Sequence, residues 1–444
     1  MLDGNKPTVG IVGFGYIGCT IGAVLASKGF NVKGVDTSTH TIDTVNSGKS
    51  PFNEPGLADL ISSGVSKGLL SVSADASVVK EADVVVVAVG TPLSEDGDAD
   101  LSQIRTACET IQPFMREGQL VVFKSTLPPG TTADVATPIL RKNANVQVAF
   151  SPERLAEGRA IQELLSIPIV VGGVDEQSGE VARKFWSEAL DVEVLMIGSS
   201  QAAELVKLAD NLWIDLNISL ANELAKLSDA LEYDIDVLEV ISAANTLPKG
   251  QHNVNILIPS MGVGGYCLTK DPWFVAGVGK RHGLDLLTPV TSRRVNDSMP
   301  DYTVERISTF FKEGGKEISD IKIAVLGLAF KNNTGDTRFT PVVPVLGSLR
   351  EKGIKDMPIY DPWVSARDAS AVGEELENNL EDVLADADCV AFFAGHDDFK
   401  DITPAVLQKH MKPGGLVLDG RIFFNRETIE DINSRGLHYR GIGR

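Results

Sequence analysis

The chain has 444 residues, 43% of them hydrophobic and 23% charged, with a formal charge of −19 and a pI near 4.8. That length exceeds what a single hydrophobic core serves, so two or three domains are expected. The acidic balance excludes the basic stripe of a nucleic-acid surface, and no nucleic-acid partner is expected.

In chain order, TVGIVG at 8–13 reads as a short buried strand, followed by a glycine turn, a helical stretch Ile17–Lys28 and a second strand Asn31–Asp36. Val84–Val89, Leu120–Lys124 and Val146–Phe150 are further apolar strands. Strands alternating with helical segments imply parallel βαβ units with right-handed crossovers. From Gln201 to about Leu231 the pattern changes: Val206, Ala209, Trp213, Leu216, Leu220, Leu224, Leu227 and Leu231 keep helical spacing without a proline or glycine. A helix of about 30 residues, roughly 45 Å long, is predicted; such a helix joins domains or forms a dimer seam. A second α/β pattern begins near Lys322, with IAVLGLAF, then Met357–Tyr360, Cys389–Ala394 and Leu416–Asp419. The order is therefore α/β, helical middle, α/β, with domains expected at 1–200, 201–315 and 316–444.

Cys19, Cys108, Cys267 and Cys389 lie far apart with no CxxC pair, and the six histidines are scattered. Neither a disulfide framework nor a metal site is expected, and the usage fits a reducing cytosol. The N-terminal MLDGNKPTVGIVGFG lacks a signal pattern and no apolar run reaches membrane-span length, so a cytoplasmic protein without a membrane partner is expected.

GFGYIG at 13–18 matches GxGxxG, follows a predicted strand and opens a predicted helix, the context that gives this pattern meaning. Gly13 permits the tight turn, Gly15 lets a pyrophosphate approach the backbone, and Gly18 lets helix and strand pack closely. Tyr16 and Ile17 sit inside the loop. Asp36 ends the second strand, where a carboxylate accepts bonds from a ribose 2′-OH and repels a 2′-phosphate, favouring NAD over NADP. The competing reading is a structural glycine turn with a solvent-exposed aspartate.

Lys207 and Asn211 share one face of the long helix, where a lysine and an amide can hold a substrate oxygen and stabilise charge developing on it. A solvated helix face would show the same spacing. Glu153 in SPER (151–154) suits catalysis or an ordinary helix start, with serine as cap, proline in the first turn and an acid near the positive end. KST at 124–126 ends a strand, where doubly wound sheets place their ligands. Cys267, in MGVGGYCLTKDP at 261–272, is either a nucleophile in a glycine-lined pocket or an inert buried thiol. Glycines at 262, 264 and 265 would let backbone N–H groups approach a substrate. The other three cysteines read as core.

These motifs together resemble the nucleotide-sugar 6-dehydrogenases, which include the UDP-glucose and UDP-N-acetylhexosamine enzymes. The likeness rests on GFGYIG at 13–18, KSTLPPGTT at 124–132, SPERLAEGRA at 151–160 and ELVKLADN at 204–211. It continues through GVGGYCLTKDP at 262–272, GLAFKNNTGDTR at 327–338 and LDGR at 418–421. The resemblance implies two Rossmann-like doubly wound domains bridged by a long central helix: NAD-binding at 1–200, dimerisation and catalysis at 201–315, UDP-sugar binding at 316–444. It implies a four-electron oxidation of a sugar C6 alcohol to a carboxylate with two NAD+ per turnover, through a thiohemiacetal and thioester on Cys267. Thiolate is the reactive form, and Lys207 and Lys270 would favour it wherever they lie beside the sulfur.

By the same resemblance, Lys207 and Asn211 steady the oxyanion and contact the sugar, Asp271 takes part in proton transfer through a water, and Glu153 serves thioester hydrolysis with Thr126 beside it. Thr91, Thr126, Glu157, Lys270 and Arg338 face the cofactor; Leu155, Gly264, Gly265, Lys331 and Arg421 face the UDP-sugar. A homodimer through the central helix is implied. Many relatives carry an arginine before the glycine loop that reaches the partner subunit, and here that stretch is KGQHN at 249–253. The aromatic after Asp-Pro, together with SPERLAEGRA, leans toward the N-acetylhexosamine branch, whereas Lys270 is shared with UDP-glucose enzymes. Two rivals share parts of this pattern. A two-electron hydroxyacid dehydrogenase has no use for Cys267 or a second α/β domain, and a nucleotide-binding sensor would show no turnover.

Overall fold

The computed structural model describes residues 6–94, 96–231 and 233–444; the first five residues of the N-terminal reading above lie outside them. Two compact units are formed, one of Met1–Asp210 with Trp273–Asp285, the other of Asn211–Pro272 with Leu286–Arg444.

The N-terminal unit holds an eight-stranded sheet of β1 (Thr8–Val12), β2 (Asn31–Val35), β3 (Leu70–Ser73), β4 (Val84–Val87), β5 (Leu120–Phe123), β6 (Gln147–Phe150), β7 (Ile169–Gly173) and β8 (Val194–Met196). The order is β3-β2-β1-β4-β5-β6-β7-β8. The first six are parallel and follow the doubly wound order, which places a topological switch between β1 and β4. Runs such as VVVV in β4 and LVVF in β5 are buried throughout, as a sheet covered on both faces requires. One apolar cluster on each face supplies the cover, with Phe14, Leu25 and Trp186 in one and Phe123, Leu140 and Phe150 in the other.

β7, a strand that the sequence reading does not single out, pairs antiparallel with β6 through Ala149↔Gly173 and Phe150↔Gly172. An antiparallel neighbour needs no crossover. The connection 151–168 therefore stays at the carboxyl edge of the parallel strands, the edge where such sheets bind ligands.

A 31-residue helix, Ser200–Ala230, leaves this unit and enters the next. A short hairpin of β9 (Pro248–Lys249) and β10 (His252–Asn253) lies in the stretch that follows. The C-terminal sheet comprises β11 (Ile323–Leu326), β12 (Ile359–Tyr360), β13 (Ala387–Phe392), β14 (Met411–Asp419) and β15 (His438–Gly441). All five are parallel in the order β12-β11-β13-β14-β15, with a second switch between β11 and β13. The fold is α/β with two doubly wound sheets. No helix among the described residues is long and apolar enough to cross a membrane.

Candidate active site

In the N-terminal unit the glycine loop closes the β1 strand. Gly13 has φ +88°, and a Cβ there would press on the Ala88 backbone at 2.7 Å; a Cβ on Gly18 would stand 2.0 Å from the Gly13 carbonyl. Gly15 differs: nothing lies within 4 Å of its Cβ position, and as N-cap of the helix Tyr16–Ser27 it offers no side-chain cap. The first N–H groups of that helix thus face a cleft of about 550 Å³ lined by Gly13, Gly15 and Asp36. Asp36 is aimed there by two bonds, Oδ2 accepting from the Phe14 N–H (2.6 Å) and Oδ1 from the Ser38 N–H (2.8 Å). A carboxylate has about four acceptor sites, so two remain for a ribose. These residues fit a dinucleotide, and Asp36 is engaged with the backbone of the glycine loop and of the residues that follow it.

Tyr16 donates its hydroxyl to Glu54 at 2.5 Å, and Ile17 packs on the apolar cluster below the loop. The Thr91 hydroxyl donates to the Thr126 carbonyl (2.8 Å), joining the loops after β4 and β5. Lys124 is buried with Nζ 3.4 Å from the Pro152 carbonyl and 4.9 Å from the Trp186 ring centroid. Burial lowers its pKa, partly opposed by Glu153 and assisted by Arg154 and Lys207.

SPER at 151–154 does not open a helix; the next one is Ala160–Leu164. Glu153 is buried, its Oε1 accepting from the Leu155 N–H (2.6 Å), while Oε2 is shielded from solvent without a hydrogen bond. Leu155 is half-buried against the apolar cluster, and Glu157 lies near enough to raise the pKa of Tyr16.

Lys207 and Asn211 stand one turn apart on the long helix, either side of the division between the units. Both are buried, which excludes a solvated helix face. Glu204, one turn before Lys207, accepts from the Gly130 N–H (2.7 Å), the Thr132 N–H (2.7 Å) and the Thr132 hydroxyl (2.6 Å). It fastens the helix to KSTLPPGTT.

In the C-terminal unit Asn211 donates to Asp271 Oδ2, and Lys270 Nζ donates to Asp271 Oδ1 at 2.6 Å. Lys270 also lies over the Tyr266 ring, 5.2 Å from its centroid. Cys267 is exposed, whereas Cys19, Cys108 and Cys389 are buried. Its carbonyl accepts from the N–H groups of Lys270 and Asp271, forming a turn that runs into the helix Asp271–Arg281. Arg293, fully buried, bonds Asp215 of the long helix (2.6 Å) and the Leu268 carbonyl (3.2 Å), so a cation ties the cysteine turn to that helix.

The glycines before Cys267 have a packing reason that the sequence did not suggest. A Cβ on Gly264 would meet Phe330 Cβ at 2.4 Å, and one on Gly265 (φ +88°) would meet the Phe330 ring at 2.8 Å. The Gly265 N–H donates to the Arg338 carbonyl (3.0 Å). The loop is thereby pressed onto the segment that carries Lys331 and Arg338. Asp361 holds the start of that segment, Oδ2 accepting from the N–H groups of Leu328 (2.7 Å) and Ala329 (3.0 Å). Arg421 donates to the carbonyls of Phe330 and Phe393 (both 2.8 Å), and burial lowers its pKa to about 10, still cationic at neutral pH. Arg338 is exposed, its guanidinium on Asp336.

Three family models match the chain in sequence order: the NAD binding domain of the UDP-glucose/GDP-mannose dehydrogenase family at 7–190, its central domain at 201–298 and its UDP binding domain at 324–426. The chain belongs to the UDP-glucose/GDP-mannose dehydrogenase family. It is an NAD-dependent nucleotide-sugar dehydrogenase. It is similar to UDP-N-acetyl-D-mannosamine dehydrogenase of Methanococcus aeolicus, 34% identical over 95% of this chain and 92% of that one. Among solved structures it resembles UDP-D-ManNAc dehydrogenase of Pyrococcus horikoshii, with 32% identity, 98% and 99% coverage and a TM-score of 0.88. It also resembles a UDP-glucose dehydrogenase of Pyrobaculum islandicum, with 27% identity, 99% and 98% coverage and a TM-score of 0.86.

Reading the dehydrogenase from sequence left Glu54, Glu204 and the Arg293–Asp215 pair without roles. A signal for Glu204 and Asp215 was present: with Lys207 and Asn211 they recur every three or four residues along the long helix. Glu54 lies in the turn-like NEPG at 53–56, and nothing local pointed to its partners.

Proposed function

We propose that the dehydrogenase oxidises C6 of UDP-N-acetyl-D-mannosamine to the uronate in two successive two-electron steps. The observation that carries this reading is an exposed Cys267 on a glycine loop next to the Lys270–Asp271–Asn211 cluster, in a chain whose other cysteines are buried. Bound NAD+ supplies the hydride acceptor for each step. Lys207 and Asn211 stabilise negative charge on the C6 oxygen, and Asp271, bonded to both Asn211 and Lys270, passes the hydroxyl proton outward. The Cys267 sulfur then adds to the aldehyde carbon, restoring the tetrahedral centre from which a second hydride can leave. Water attacks the resulting thioester, the C–S bond breaks, and the thiol and a carboxylate are released. Glu153 is the base for that water, because Oε1 is anchored while Oε2 is buried and unbonded.

Lys331 and Arg421 are assigned to the UDP-sugar, and the glycine loop, Asp36, Thr91, Thr126, Glu157 and Arg338 to NAD. The sugar follows the relatives named above; a UDP-glucose substrate is the second reading, favoured by Lys270 and the Pyrobaculum likeness. The exposed apolar face of the long helix supports a homodimer, and a working thiol favours the reducing cytoplasm. A nucleotide-activated uronate is a donor for polysaccharide assembly. A panel of UDP-sugars tests the reading. UDP-N-acetylmannosamine should give the highest kcat/KM and two NADH per uronate. A single NADH with accumulating aldehyde, or a preference for another sugar, would overturn it.

A further inference from the structure

Glu54 is a buried carboxylate joining three segments that are distant in sequence. Its Oε2 accepts from the Tyr16 hydroxyl (2.5 Å) and the Gly158 N–H (2.6 Å), and its Oε1 accepts from the Ala160 N–H (2.8 Å). Its exposure is 5%, so solvent does not compete for these bonds. Tyr16 belongs to the glycine loop; Gly158 and Ala160 flank the end of SPERLAEGRA. Residues 152–159 form no helix or strand, so this stretch lacks ladder bonds and is held by side chains, Glu163 accepting from the Ala156 N–H (2.6 Å) and Glu54 from the Gly158 N–H.

We infer that Glu54 is a positioning residue that locks the loop carrying Leu155 and Glu157 to the dinucleotide loop, so that cofactor and sugar-nucleotide contacts form on one rigid element. Three observations support this. Gly158 adopts φ +88°, a conformation that aims its N–H at Glu54 and that other residues rarely hold. The Tyr16 ring packs edge-on against Phe52 (5.8 Å), two residues before Glu54, so the hydroxyl is steered from both sides. Burial and Glu54 raise the pKa of Tyr16, which keeps it a proton donor throughout the working pH range. Glutamine at position 54 would present an NH₂ to one donor in one rotation and to two in the other, so neither rotation satisfies all three.

The inference rests on the assignment of Leu155 and Glu157 to ligands, and its test separates the two. Hydrogen exchange of the full, ligand-free chain reports the lock directly, whatever the substrate. Glu54→Gln should speed exchange at Gly158 and Ala160 by at least tenfold and raise the KM of both NAD and the UDP-sugar about tenfold, with kcat at saturation within threefold. Exchange unchanged at those amides overturns the lock. Faster exchange with both KM values unchanged overturns its role in positioning ligands. Should Glu54→Gln fail to fold, Tyr16→Phe removes one bond only. It should speed exchange at Gly158 about threefold, and no change there counts equally against the lock. A chain that turns over no UDP-sugar would contradict the proposed function while leaving exchange and NADH binding to decide the role of Glu54.

Discussion

In the proposed reaction a single side chain, Glu153, separates formation of the thioester from its release. Glu153 was legible as a carboxylate at a strand end, but the same three letters, SPE, also spelled a helix start. The structure removes that alternative because the chain stays irregular until Ala160, leaving a buried oxygen that no capping role explains. Glu153→Gln should give a rapid release of two NADH per site followed by steady turnover slowed about 100-fold, the scale of a lost general base. Stopped-flow absorbance at 340 nm, a general property of NADH, reads both phases. Equal slowing of the first two NADH would show that Glu153 acts before hydrolysis. Glycines divide in the same way. Gly13 and Gly18 are required by close backbone contact, whereas the chain itself leaves open space at the Cβ position of Gly15, a distinction that the motif alone does not make.

At the scale of elements the long helix carries the clearest lesson. Its apolar spacing correctly predicted a helix of about 30 residues, yet the buried stripe is the polar one. Glu204, Lys207, Asn211, Asp215, Ser219 and Asn222 are all buried, while Trp213, Leu216, Leu220 and Leu227 are exposed. The polar stripe is held inside by bonds such as Asn222 to Asn296 (2.9 Å) and Arg293 to Asp215 (2.6 Å), which offset the desolvation of those groups. In the proposed homodimer this exposed apolar stripe is the association surface. Leu220→Glu should therefore shift the protein from dimer to monomer in sedimentation at micromolar concentration. An unchanged dimer would place the seam elsewhere. The antiparallel β7 was not legible, because strand direction is set by pairing partners rather than by the strand's own residues.

For the whole molecule, Glu204 links helix docking to pH. Burial, with Asp134 adding to it, raises its pKa from 4.5 to about 7 despite three donated bonds. The folded state therefore holds a proton that the unfolded chain releases above about pH 4.5. This contribution is fully present below that value and is lost as pH rises toward 7, the reverse of an ordinary salt-bridged carboxylate. Relative to Glu204→Gln, the wild type should lose on the order of 2 kcal/mol of stability between pH 5 and 7.5, read from urea midpoints. Parallel pH curves for the two proteins would show that Glu204 is ionised in the fold.

Residue order alone determined the strand–turn–helix at 8–28, the carboxylate after the second strand, the long helix and the candidate nucleophile. Each of these depends on periodicity or on groups only a few positions apart, and such relations survive in one dimension. Tertiary structure decided which face of the helix turns inward, which way β7 runs, why the glycines before Cys267 are needed and what Glu54 holds. Those depend on groups tens to hundreds of residues away, whose distances only the folded chain sets.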